Sequence, residues 1–473
     1  MVALLLGLGA ACASADEKPA GKQPAARPST VEQVVEAVVR ATEGKDQAAL
    51  EALAKPDAPD PWLVVDELCR RGLHAEAEAF AEAAPRPVVA GLPGYIAIQR
   101  DRPSDADERA QLDAALQAAG AGKWGDVLTA AEKVPRELDS IVRLRCAFAR
   151  GVAFSATRRK RESSAALLEV GRAAAKIGWY GIASAALHSA ARDAYRISDW
   201  PGALTAWELR LDVLRALGDT RGLSQTLGNL GNVHLQRSEY AEARTRYAAS
   251  LELKRKLDDQ SGIARTLGSL GVLERRLGNY PQALAHYDEA LAYARKRNDR
   301  LSIAQMLGNI GNVHLLRGDY PLALTRHQES LRTFTNLKRR GSMALALKSI
   351  GDVHFALGDY EASLVHREGA LKLFVDLGDR QHAARVKGSL GSTHMALGNY
   401  PVALARYEEA LSMARDLGDS TAEAAWLASL GAMQGQLGNH AKALARYEQS
   451  LALARKLGER SSIALALVNI GGA

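Results

Sequence analysis

A chain of 473 residues is too long for one compact core, and it is dominated by alanine and leucine with few aromatic and β-branched residues, which points to helices stacked along a line. Its formal net charge of +7 is a mild basic excess on a large surface; it suits acidic partners but falls short of a nucleic-acid signature, and no nucleic-acid partner is expected.

The apolar run from Val2 to Ala11 is too short to span a bilayer, and Ala13-Ser14-Ala15 before Asp16 is an A-x-A cleavage site. Residues 1–15 therefore read as a signal peptide of an exported protein: periplasmic, extracellular or an outer-membrane lipoprotein. The last arises because Gly9-Ala10-Ala11-Cys12 resembles a bacterial lipobox, with Leu8 one place early, which would make Cys12 a lipid anchor. No transmembrane segment is expected. Residues 16–29 are rich in Pro, Ala and Lys and read as a flexible tether. Thr30 reads as an N-cap with Gln33 at the capping-box position, opening a helix through about Thr42. Residues 30–140 read as an irregular helical region, broken by Pro56, Pro59, Pro61, Pro85, Pro87 and Pro93. Residues 141–181 read as a degenerate helical repeat. Cys69 and Cys146 fit no metal spacing and read as small buried hydrophobes.

From 182 to 473 the chain repeats every forty residues, as seven full units and a truncated eighth. Gly231, Gly271, Gly311, Gly351, Gly391, Gly431 and Gly471 form one column. Tyr240, Tyr280, Tyr320, Tyr360 and Tyr400 form another, preceded by Trp200 and completed by His440, and Leu211 through Leu451 a third. A fixed period without insertions is the signature of an α-solenoid, in which each unit buries its apolar face only against its neighbours. Residues 262–297 show the local logic. A first helix carries Ile263, Leu267, Leu270 and Leu273 on one stripe. Gly278-Asn279 ends it, Pro281 sits near the first position of a second helix, and Ala283, Leu284, Tyr287, Ala290 and Leu291 face inward. Residues 461–473 match the start of another unit and stop inside its first helix. The expectation is that the protein continues past residue 473, and that Ile463, Leu467 and Ile470 form an open apolar stripe able to self-associate.

Written from Leu267, the pattern L-x-x-L-G…G-N-Y-x-x-A…Y-x-x-A-L resembles the tetratricopeptide repeat, with Leu267, Leu270, Gly271, Glu274, Ala283, Tyr287 and Ala290 at its usual positions. The first-helix tyrosine is replaced by His234, Glu274, His314, His354, His394 and Gln434. The units are forty residues long rather than about thirty-four. Such long units resemble those of kinesin light chains and of spindle-orientation scaffolds, and the arrays that precede caspase-like CHAT domains in bacterial proteins.

The resemblance implies an all-α superhelix of antiparallel helix pairs, whose first helices line a concave face. It also implies ligand contacts at the second, sixth, ninth and thirteenth places of each unit. The sixth place holds Ser189, Asn229, Ser269, Asn309, Ser349, Ser389 and Ser429; the ninth holds Asn232, Asn312, Asp352 and Ser392, with Arg192 and Val272. Short amides and hydroxyls in such a column can bond the backbone of an extended peptide. Arg265 and Arg385 beside them would favour an acidic ligand. The expected function is a scaffold that binds a peptide or protein segment in this groove. The alternative is the regulatory half of a CHAT-type cysteine protease whose catalytic half follows residue 473. The histidines come one per unit, too far apart for a shared metal. No catalytic motif occurs in the sequence, and no metal, cofactor or enzymatic activity is expected.

Overall fold

The computed structural model describes residues 31–53, 61–71, 73–83, 106–138, 140–458 and 460–472. The expected export signal, Cys12, the expected tether, Thr30 and the prolines named above except Pro61 lie outside the described residues. Among the described residues there are twenty-three helices and no strand. The first six are α1 Val31–Glu43, α2 Gln47–Leu53, α3 Pro61–Arg70, α4 His74–Ala83, α5 Ala106–Gly120 and α6 Trp124–Glu132. There follow α7 Ile141–Ala156, α8 Lys160–Lys176, α9 Tyr180–Arg196, α10 Trp200–Leu217, α11 Thr220–Gln236, α12 Tyr240–Lys256, α13 Gln260–Arg276 and α14 Tyr280–Lys296. The rest are α15 Arg300–Arg317, α16 Tyr320–Asn336, α17 Arg340–Ala356, α18 Tyr360–Asp376, α19 Arg380–Ala396, α20 Tyr400–Leu417, α21 Ser420–Gln436, α22 His440–Leu457 and α23 Arg460–Gly471. From α8 onward a helix begins every twenty residues.

The chain divides into two compact parts, residues 1–262 and 263–473. In the first, α1 to α4 pack on one another and α3 reaches α7, while α7 to α12 stack as successive antiparallel pairs. Trp62 of α3 stacks on Trp179 at 5.4 Å between ring centroids, and both rings are buried. In the second part α15 to α22 stack in the same manner. The last helix, α23, packs on α22 and buries Ala466. Leu467 is exposed, as are Leu465 and Val468, whereas Ile463 and Ile470 are half-buried.

The glycine column has one structural cause. Each glycine from Gly231 to Gly431 faces the residue sixteen positions later on the second helix of its pair. A Cβ at Gly231 would stand 2.5 Å from Tyr247, at Gly271 2.5 Å from Tyr287, and at Gly391 2.9 Å from Tyr407. No real Cβ contact is that short, so only glycine admits the ring. The pairing extends upstream of residue 182. A Cβ at Gly151 would stand 2.6 Å from Leu167, so α7 and α8 pack by the same rule as the later pairs.

Every helix from α7 to α22 ends through a residue at positive φ, spaced by twenty from Arg158 to Gly458. Gly318, at φ 81°, takes this conformation freely, whereas Lys338, at φ 52°, holds it against the steric preference of an L residue. Next comes the N-cap of the following helix. The Asp299 carboxylate accepts from the Ser302 N–H at 3.1 Å, and Asp379 accepts from the His382 N–H at 3.1 Å. Side chains also clasp the turn five residues apart. His234 Nδ1 lies 2.7 Å from Glu239, His354 Nδ1 lies 3.1 Å from Asp359, and Asn279 donates to Glu274 at 2.8 Å. This clasp accounts for the His, Glu and Gln column that stands where tetratricopeptide units usually have tyrosine, except at His394, whose Nδ1 has no partner.

Gly351 is the most constrained of the column, because its missing Cβ would meet backbone as well as side chain: Arg367 Cγ at 2.8 Å and the Ser363 carbonyl oxygen at 3.2 Å. Gly351→Ala is expected to lower stability by about 1–3 kcal/mol through overpacking, measured as a shift in the urea midpoint. An unchanged midpoint would mean that α17 and α18 do not depend on this contact.

Candidate functional site

The sixth and ninth places of the first helices do not form one uniform ladder. Ser189 is buried, so it offers nothing to a ligand in solution. Asn229 is half-buried. The Ser269 hydroxyl donates to the Arg265 carbonyl at 3.3 Å and the Ser389 hydroxyl to the Arg385 carbonyl at 3.1 Å, the usual back-bond of a helical serine. These serines have spent their only proton and retain acceptor capacity alone.

The ninth place is tied to the second helix. The Tyr247 hydroxyl donates to Asn232 at 2.7 Å, and the Tyr407 hydroxyl donates to Ser392 at 2.9 Å. Asp352 lies 2.9 Å from the Arg367 guanidinium and 2.6 Å from Lys348. Arg367 is buried, donates also to the Ser389 carbonyl at 2.7 Å and to the Thr393 hydroxyl, and lies 4.9 Å from the Phe355 ring centroid. Val272 offers Tyr287 no acceptor. Asn232, Asp352 and Ser392 thus satisfy a polar group buried by the second helix, fifteen residues later in each case. Of the two arginines, Arg265 is exposed, while Arg385 reaches Asp419 at 3.5 Å, a carboxylate that also caps α21.

One pair differs. At residue 327 the column Trp207, Tyr247, Tyr287, His327, Arg367, Tyr407, Tyr447 changes from tyrosine to histidine. The imidazole fills the place opposite Gly311, with Nε2 2.9 Å from where a Cβ would stand. That nitrogen is buried and has no hydrogen-bond partner. Among the described residues, the Asn309 and Asn312 side chains make no hydrogen bond either. Beside them lies an open cleft of about 450 Å³ between α15, α16 and α17. It brings together three of the residues expected from the sequence, Asn309, Asn312 and Ser349, with His327, Phe334 and Leu345. No Lys, Arg, Asp or Glu lines it, so the charge expected to attract an acidic ligand is not found there. His327, Arg367, Phe334 and Leu345 were not expected to matter. The signal for the first two was the break in the aromatic column at 327 and 367.

The remaining chemistry is structural. Cys69 and Cys146 are buried and no disulfide joins them, and burial pushes the Cys146 thiol up to about 12. Among the described residues no three His, Cys, Asp or Glu side chains gather as a metal site, and no helix is long and apolar enough to cross a membrane.

Models of the tetratricopeptide repeat match residues 223–257, 262–336, 341–416 and 382–456. No curated protein matches the sequence. Among solved structures, the chain is similar to a Rap protein complexed with Competence and Sporulation Factor, at 13% identity over 75% of this chain and 98% of that one, with a TM-score of 0.50. It is also similar to aspartyl phosphate phosphatase F from Bacillus subtilis, at 12% identity, 82% and 92% coverage and a TM-score of 0.47. BtubC (BKLC) from P. vanneervenii matches at 18% identity, 46% and 91% coverage and a TM-score of 0.41. At such identities the likeness concerns the fold.

Two tests follow from the packing. Asp352→Ala leaves Arg367 buried without its carboxylate and is expected to cost about 3 kcal/mol of stability, read from thermal or urea unfolding; a loss within error would remove the structural role given to Asp352. The second concerns pH. Burial pushes the His327 imidazole down to about 4, with smaller opposing effects of Asp352 and Lys348, and burial with Arg210 and Arg192 brings His188 to about 4 as well. In the unfolded chain both take up a proton below about 6.5. The unfolded state therefore binds more protons between about pH 6.5 and 4, and stability falls as the pH drops through that window. Urea midpoints measured across it should show this slope, and His327→Tyr should flatten it. A wild-type midpoint that does not change over the window would contradict the assignment.

Proposed function

We propose that this chain, which belongs to the tetratricopeptide repeat family, is a protein-interaction scaffold that holds an extended segment of a partner against the first-helix face around residues 300–356. The observation that carries the reading is the cleft between α15 and α17, where Asn309, Asn312 and Ser349 converge while the ninth-place side chains Asn232, Asp352 and Ser392 are engaged within the protein. A carboxamide presents both a donor and an acceptor, which matches the alternating N–H and C=O of a peptide backbone. The neutral lining favours an uncharged stretch of the partner over an acidic one. A protein of similar fold, the Rap protein, is described in complex with Competence and Sporulation Factor, which agrees with a binding role without assigning residues here.

The test is a randomised decapeptide array probed with wild type and with an Asn309→Ala/Asn312→Ala/Ser349→Ala variant. At about 0.5–1.5 kcal/mol for each neutral hydrogen bond, the variant should bind selected peptides roughly 10- to 1000-fold more weakly at unchanged stability. Peptides retained equally by both proteins would place binding elsewhere.

A further inference from the structure

The ninth-place residues show what the cleft is shaped to receive. In two pairs the second helix supplies a tyrosine whose ring packs on the column glycine and whose hydroxyl donates to the ninth-place side chain, Asn232 at 2.7 Å and Ser392 at 2.9 Å. In the pair α15–α16 the glycine (Gly311) and the amide (Asn312) are both present, but His327 stands in place of the tyrosine. An imidazole is shorter than a phenol and carries no hydroxyl at its tip. Asn312 is therefore left with its hydrogen-bonding capacity unused by the second helix, on the wall of a cleft of about 450 Å³. The cleft's other walls include Met306, Phe334 and Leu345, the last 45% exposed although apolar.

We propose that this cleft is a side-chain subsite for a tyrosine of the bound segment, with the phenol hydroxyl bonding the Asn312 amide and the ring lying against Met306, Phe334 and Leu345. The inference rests on the reading of the cleft as a peptide site and names its specificity. The ligand supplies in trans the contact that Tyr247 and Tyr407 make within the chain. A purely aliphatic or phenyl group would cover the apolar walls but leave the half-buried Asn312 amide covered and without a partner, a loss that binding sites discriminate strongly. A carboxylate or phosphate would enter a space lined by no cation. The His327 ring is neutral near pH 7 and supplies none. The occupant is thus an apolar ring with an uncharged hydroxyl at its end.

The test uses the whole protein and three small probes followed by saturation-transfer NMR: N-acetyl-tyrosinamide, N-acetyl-phenylalaninamide and N-acetyl-phosphotyrosinamide. The tyrosine probe should bind saturably, roughly three- to tenfold more tightly than the phenylalanine probe, and the phosphotyrosine probe should not bind. His327→Tyr should abolish binding while folding as well as wild type, since the same glycine-opposed place holds tyrosine in four other pairs. Asn312→Leu, of similar volume, should bring the tyrosine and phenylalanine probes to equal affinity; it is the control should His327→Tyr fold poorly. Equal binding of the two probes to wild type, no binding of the tyrosine probe at 10 mM (roughly the weakest fragment affinity of interest), or unchanged binding by His327→Tyr overturns the proposal. The wider peptide reading fails separately: a tyrosine-free peptide from the array should be lost with Asn309→Ala and kept with His327→Tyr.

Discussion

The contact on which most helix pairs of the array depend is that of a glycine with the residue sixteen positions later; in the pair α9–α10 Ala191 stands in the glycine's place. The glycine contact brings the backbone of the first helix against the face of a ring or long side chain on the second, at a separation that any Cβ would forbid. Because the glycine has no side chain of its own, the contact sets the spacing and the register of the pair together. The left-handed residue and the N-cap then start the next helix at the same interval. The twenty-residue step is the outcome of that one constraint combined with turns of a single length.

Once the second-helix residue is buried by this contact, its polar end must find a partner. In three pairs that partner comes from the ninth place of the first helix, next to the glycine. The chemistry of the pair is therefore set jointly: tyrosine with asparagine or serine, arginine with aspartate. Asp352 illustrates the point, since what looks from outside like a charge on a binding face is the counter-ion of a buried guanidinium. In the pair of His327 with Asn312 the amide is present but the second helix brings no hydroxyl to it, and the cleft lies there; in the pair of Tyr287 with Val272 it is the acceptor that is missing.

Much of the fold was legible because a strict period turns weak local preferences into a strong signal: Gly278-Asn279, Pro281 and the apolar stripe of α13 each say little alone. Asn309, Asn312 and Ser349 were legible as polar groups at places where a core stripe should be apolar. What the one-dimensional pattern concealed was the state of each rung. Whether Asn232 or Ser392 is engaged depends on a residue of the other helix, and whether Ser389 keeps a proton to donate depends on the backbone one turn back. Arg385 meets a carboxylate in the next repeat. The N-terminal helices lack the repeat, and their anchoring through Trp62 on Trp179 joins positions too distant for any local rule to connect.

The uniform interval between helix starts has an evolutionary side. Asp299 precedes Arg300 at one helix start, and Arg340 opens another forty residues later. An unequal recombination that removed residues 300–339 would place Asp299 directly before Arg340, with capping carboxylate, turn and glycine column still in phase. Such a deletion would discard Asn309, Asn312 and His327 in one step and leave a foldable, shorter array. In a protein assembled this way, specificity is inherited by the repeat while stability is inherited by the spacing, so lineages can gain or lose a binding site without passing through an unfolded intermediate.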